Sequence, residues 1–120
     1  MPTERQGEIA AAISDSIVGI FSDSYGRGPT KAKTYLFDDY AFTVLEDILT
    51  TVEQTLVANG HEDLVRAVRL TFQEAEADRF MQAVTDATGR KAIAYHSQVT
   101  FHPAFGFEVF VLEPQPDEAS

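Results

Sequence analysis

No cysteine occurs in the 120 residues of this chain. That excludes disulfides, thiolate nucleophiles and Cys-ligated zinc, and it fits a reducing compartment. Basic residues are scarce, with 9 Lys and Arg against 19 Asp and Glu, for a formal net charge of -10. A surface of that sign repels phosphate backbones and anionic headgroups, so nucleic acid is not expected as a partner and electrostatic docking on lipid is disfavoured. Long apolar runs are missing as well. None approaches the ~18 residues of a membrane-spanning helix, and the richest, Phe105 to Leu112, is broken by Glu108. Glu4, Arg5 and Glu8 open the chain with no long apolar segment after them, so no signal peptide is expected. Together these absences predict a cytoplasmic protein without direct membrane insertion.

What is present suffices for one core. Hydrophobic residues make up 44% of the chain and include nine Phe, at a length typical of one domain. Ile9, Ile13, Ile17 and Ile20/Phe21 fall on one helical face over about residues 3–24. Gly26 and Gly28 stop that helix and Pro29 prevents its continuation. Lys33, Tyr35 and Phe37 then share one strand face, Asp38-Asp39 signals a turn, and Tyr40, Phe42 and Val44 resume with period two. Thr50 and Glu53 have the spacing of a capping box at the start of a short helix carrying Val52 and Leu56.

A long helix is expected over 62–88, with Leu64, Val68, Phe72 and Ala75 as its first stripe and Phe80, Ala83, Val84 and Ala87 as its second. Ile93, Tyr95, Val99 and Phe101 point one way along the next strand. The last strand, Phe107 to Leu112, is apolar on both faces. The order α-β-β-α-α-β-β predicts an α+β fold: a four-stranded antiparallel sheet with helices packed mainly on one face. Residues 1–113 form the expected single domain and 114–120 a polar tail. Phe110, Leu112 and Leu36 are expected on the sheet face away from the helices, where a homodimer would cover them.

Gly26-Arg27-Gly28-Pro29, with Lys31 and Lys33 close behind, is the basic junction of an acidic chain. Glycine-exposed backbone N–H groups beside three cations suit an anion, although helix-then-strand order and the lack of a Lys-Ser/Thr ending set it apart from a P-loop. A helix stop with solvated charges explains the same residues. Residues 36–63 carry seven acids and no Lys or Arg, so a basic edge faces an acidic edge, a pattern suited to self-association or partner docking. His96 and His102 lie six residues apart, or ~20 Å at strand rise, too far for one ion. No metal site, cofactor or catalytic constellation is expected, which argues against an enzyme. Arg66 and Arg69 sit near Glu62 and Asp63 at intrahelical ion-pair spacing.

Several of these elements, in this order, resemble the MpsC-like family: Gly26-Arg27-Gly28-Pro29 after a helix; Leu49-Thr50 with Glu53 and Leu56; Val65-Arg66 with Arg69; and Val109-Phe110-Val111-Leu112-Glu113. Members are described as a domain of unknown function, or as the third component of a sodium-translocating, membrane-potential-generating system. The resemblance implies a non-enzymatic accessory or regulatory protein with a membrane-system protein as partner, supporting cation or bicarbonate handling. The alternative is a small-anion or nucleotide-sensing module using Arg27, Lys31, Lys33 and Arg69.

Overall fold

The computed structural model describes residues 3–115. The first helix, α1 (Glu4–Tyr25), begins at a capping box in which Thr3 Oγ1 accepts from Gln6 N and Gln6 Oε1 accepts from Thr3 N. It buries Ile13, Ile17, Ile20 and Phe21. Gly26 ends it in the left-handed region at φ 78°, a conformation open to glycine at little cost. Strands β1 (Lys31–Phe37) and β2 (Tyr40–Glu46) form the expected hairpin, with Phe37 opposite Tyr40.

The capping box of Thr50 and Glu53 starts α2 (Thr51–Ala58) as expected. The helix expected over 62–88 is interrupted at Glu76, giving α3 (Glu62–Ala75) and α4 (Ala77–Thr88). Gly89, at φ 72°, caps α4. Strands β3 (Ala92–Thr100) and β4 (Phe105–Leu112) complete an antiparallel sheet of order β1-β2-β4-β3. The order α-β-β-α-α-β-β therefore holds, with the second central helix in two pieces. Of the expected tail, residues 116–120 lie outside the described residues.

The helices cover one face. Helix α1 packs on β1 and α4, while α3 and α4 pack on β3. The core between them holds Ile13, Ile17, Phe21, Ala41, Leu45, Phe80, Val84, Phe110 and Leu112. This reverses one expectation: Phe110 and Leu112 are buried beneath the helices and Leu36 packs partly buried against the same core, so none of the three is presented on the opposite face. Burial alternates strictly along β4, so Phe107, Val109 and Val111 take the other side. Apolar residues at almost every position had hidden which side was which.

Two further faces differ from the periodicity. Leu64 and Val68 are 53% and 52% exposed, and α3 instead buries Val65, Arg69 and Gln73. Ile93 turns outward because the β3–β4 register shifts between Ala92 and Ala94. Phe101 lies in the β3–β4 turn rather than on the strand.

Candidate functional site

The junction residues are drawn into the fold by the segment that follows β2. Arg27 leaves the end of α1 and donates from Nη1 to Leu49 O at 2.5 Å, and from Nη2 to Asp47 O and Asp47 Oδ2 at 2.9 Å each. The hydrogen bond from Arg27 is the main reason the Asp47 carboxyl lies below its ordinary range. Asp47 has φ 55°, and the guanidinium anchors its carbonyl in that turn. Gly28 is required by close approach, since a Cβ there would overlap Ser22 Oγ and meet Val18 O at 2.9 Å. Pro29 is buried.

Arg69 holds the same segment from the α3 side. It is 2% exposed, donates from Nη2 to Ile48 O at 2.6 Å and from Nε to Glu53 Oε2 at 2.7 Å, and pairs through Nη2 with Glu53 Oε1 at 2.5 Å. Its guanidinium carbon lies 4.0 Å from the centroid of the Tyr25 ring. Burial would raise the Glu53 carboxyl, yet the hydrogen bonds from Arg69 and Thr50 and the Arg69 charge bring it below its ordinary value. Glu53 Oε1 thus caps α2 and pairs with Arg69 Nη2 at once, while Oε2 accepts from Arg69 Nε. The expected intrahelical pairing holds for Arg66 with Asp63 at 3.2 Å, whereas Arg69 turns inward to Glu53.

The two lysines of the junction stay outside. Lys31 pairs with Glu46 at 3.6 Å and Lys33 lies 5.9 Å from the Tyr35 ring centroid. The seven predicted residues therefore divide. Gly26, Arg27, Gly28, Pro29 and Arg69 shape and lock the connection, while Lys31 and Lys33 present charge at the edge strand.

A second polar group, missed by periodicity, crosses the helix-facing side of the sheet. Ser14 and Thr34 share a hydrogen bond of 2.7 Å, and Thr34 and Thr43 one of 2.8 Å. Beside Thr43 in the ladder stands Glu108, fully buried, with Gln73 and Tyr95 on its two oxygens. The signal available in sequence was Glu108 itself, the lone acid in an apolar strand, which needs polar partners wherever it is buried.

Among the described residues the opposite sheet face has no helix on it. Tyr35, Phe42 and Phe107 line up across β1, β2 and β4, with ring centroids 6.3 and 6.4 Å apart. Phe37, 58% exposed, and Tyr40 pair beside them at 6.0 Å. His96 is exposed on the same face, while His102 lies in the β3–β4 turn with Nε2 3.8 Å from Glu62 Oε2. Among the described residues no group of three or more His, Asp or Glu is placed to hold a metal ion, and no helix is long and apolar enough to cross a membrane.

A helix-backed four-stranded antiparallel sheet, with the β2–α2 connection clamped by two arginines, defines a small α+β domain. The chain belongs to the MpsC family: residues 5–114 match it, and the family is described as Na+-translocating membrane potential-generating system (MpsC). Of the residues that carried the resemblance, Arg27, Leu49, Thr50, Glu53 and Arg69 meet in the arginine clamp, whereas Arg66 pairs with Asp63 and Val109 to Leu112 lie in β4. No curated protein and no solved structure matches the chain.

Proposed function

We propose that residues 1–113 act as one non-enzymatic accessory or regulatory domain, cytoplasmic and homodimeric, that serves a protein partner in a membrane cation or bicarbonate system. The observation that carries this reading is the bare sheet face. Apolar patches of this kind on otherwise charged proteins mark contact sites, and sheets pack face to face at about 10 Å when aromatic and branched residues interdigitate. Charge favours a second copy as the occupant. Lys31 and Lys33 stand at one end of β1, with Asp38 and Asp39 at the other. A two-fold axis between the sheets and perpendicular to the strands lays each basic end over the partner's acidic end. Lys31 and Lys33 would meet the second copy across the sheet face, and the outer edge of β1 beside them, from Gly26 to Lys33, is left for the membrane-system protein.

The anion- or nucleotide-sensing alternative is less well supported. Arg27 and Arg69 spend their donors on Asp47, Leu49, Ile48 and Glu53, so two of its four cations are already engaged. Light scattering tests the dimer: the wild type should run at twice the monomer mass and Phe107→Lys as a monomer of native helix content. A monomeric wild type at high concentration would sink the dimer. Affinity capture from native membranes with K31E/K33E as control tests the partner, and equal recovery by both chains would count against the junction edge.

A further inference from the structure

Glu108 occupies the middle of β4 on the face that meets the helices, and none of its surface is exposed. Gln73 Nε2 of α3 lies 2.6 Å from Oε1, and the Tyr95 hydroxyl of β3 lies 2.7 Å from Oε2. From β2 the neighbour on the same face is Thr43, whose hydroxyl is shared with Thr34. From α4, Phe80 stacks on the Tyr95 ring with centroids 5.5 Å apart. The cation that Glu108 feels is Arg69 of α3, and that guanidinium is bonded to Glu53 and Ile48 O. A fully buried carboxylate whose direct partners are all neutral is costly, and such a group takes up a proton instead.

The Gln73 contact points the same way. Gln73 Oε1 is buried without a partner. Turning the amide over places that oxygen against Glu108 Oε1, where it accepts a proton held there. The exchange leaves one unpaired amide group either way, but it removes a buried charge.

We propose that Glu108, Gln73 and Tyr95 form a single-proton binding site: the folded protein carries the proton on Glu108 at neutral pH and releases it as the solution turns alkaline. In the protonated state the carboxyl donates to Gln73 Oε1 and accepts from the Tyr95 hydroxyl. On release the amide turns back and Gln73 Nε2 donates to the carboxylate. Burial pushes the Glu108 carboxyl up to about 8, against the lowering effect of its two hydrogen bonds and of Arg69. The site lies between Phe107 and Val109, whose side chains face the bare side of the sheet, so release of the proton acts on the strand that lines that face.

Carboxyl-carbon NMR of the full chain labelled at glutamate tests this, with the Glu108 signal assigned by its loss in E108Q. The expected result at pH 7 is a protonated-acid shift for Glu108, moving to the carboxylate position at alkaline pH. A carboxylate shift at pH 7 overturns the proposal. If E108Q does not fold, infrared spectroscopy of the wild type gives the same decision, through the presence or absence at pH 7 of a protonated-carboxyl C=O band that vanishes in alkali. Y95F removes a donor that favours the carboxylate, so its release midpoint should rise; an unchanged midpoint would overturn the assigned geometry.

Discussion

Arg27 and Arg69 donate to adjacent carbonyls of one connection, Leu49 O and Ile48 O, at 2.5 and 2.6 Å. One arginine follows α1 and the other lies within α3, so the turn between β2 and α2 is pinned from both sides. Backbone carbonyls in such a turn have no ladder partner, and the guanidiniums supply one. The two arginines thus lock the β2–α2 connection to the end of α1, and Gly28 is required there by its close approach to Val18 O and Ser22 Oγ.

The lock sets the first prediction. Arg69→Met removes the partner of a buried carboxylate and leaves Glu53 and Ile48 O unsatisfied. Loss of one member of a buried pair costs ~3–5 kcal/mol, to be read as a lower urea midpoint with unchanged slope. The double variant R69M/E53M should regain part of that loss, because no charge then stays buried. A double variant less stable than R69M would show that the ion pair is not what holds the site.

Gly28 and Gly26 should differ in their response to alanine. At Gly28 the new Cβ meets Val18 O, which is backbone and cannot swing aside, as well as Ser22 Oγ. Overpacking of this kind costs about 1–3 kcal/mol, and adding Ser22→Ala should restore only part of it. At Gly26 nothing stands within 4 Å of a Cβ, so Gly26→Ala carries only the left-handed backbone penalty, ~1 kcal/mol. Equal losses at the two sites, or full rescue of G28A by S22A, would contradict the geometry.

Much of this was readable in advance, for local reasons. The Thr50–Glu53 box, the glycine stops and the Asp38-Asp39 turn depend on residues within a few positions of one another, and the structure has them. The face of α3 was not readable, because hydrophobic periodicity counts Leu64 and Val68 as core and Arg69 and Gln73 as surface. Burial of the latter pair is decided by Glu53 and Glu108, which lie 16 and 35 residues away along the chain. The face of β4 failed for a related reason. With apolar residues at almost every position, Glu108 was the one mark of phase, and an acid is by default placed outside.

The hydroxyl file from Ser14 through Thr34 to Thr43 gives a further test. Thr34→Val keeps the shape but leaves two buried hydroxyls without their shared partner, at a cost of about 1–3 kcal/mol. The triple change S14A/T34V/T43V removes every member, so it should be more stable than T34V alone. Thermal or urea unfolding of the wild type and these two variants decides it. A triple variant that is worse than the single one would mean that the hydroxyls serve contacts beyond the file.

Stability should pass through a maximum in mildly acid solution, because two buried carboxyls are shifted in opposite directions. Glu108 has its folded pKa raised from 4.5 to about 8. Its contribution is fully present below the unfolded value and declines as pH rises through the folded value, when the unfolded chain holds fewer protons than the native one. At roughly 1.4 kcal/mol per unit, the decline from pH 4.5 to 8 is on the order of 3–5 kcal/mol. Glu53 is lowered, so its contribution is present above its unfolded pKa and is lost as pH falls through the folded one. Urea unfolding at intervals from about pH 3 to pH 9 should show both limbs. E108Q should flatten the neutral-to-alkaline limb while leaving the acid limb of Glu53 in place. If the wild type is equally stable at pH 5 and pH 8, Glu108 is ionised in the folded protein at neutral pH, and its neutral partners are then satisfying a buried charge.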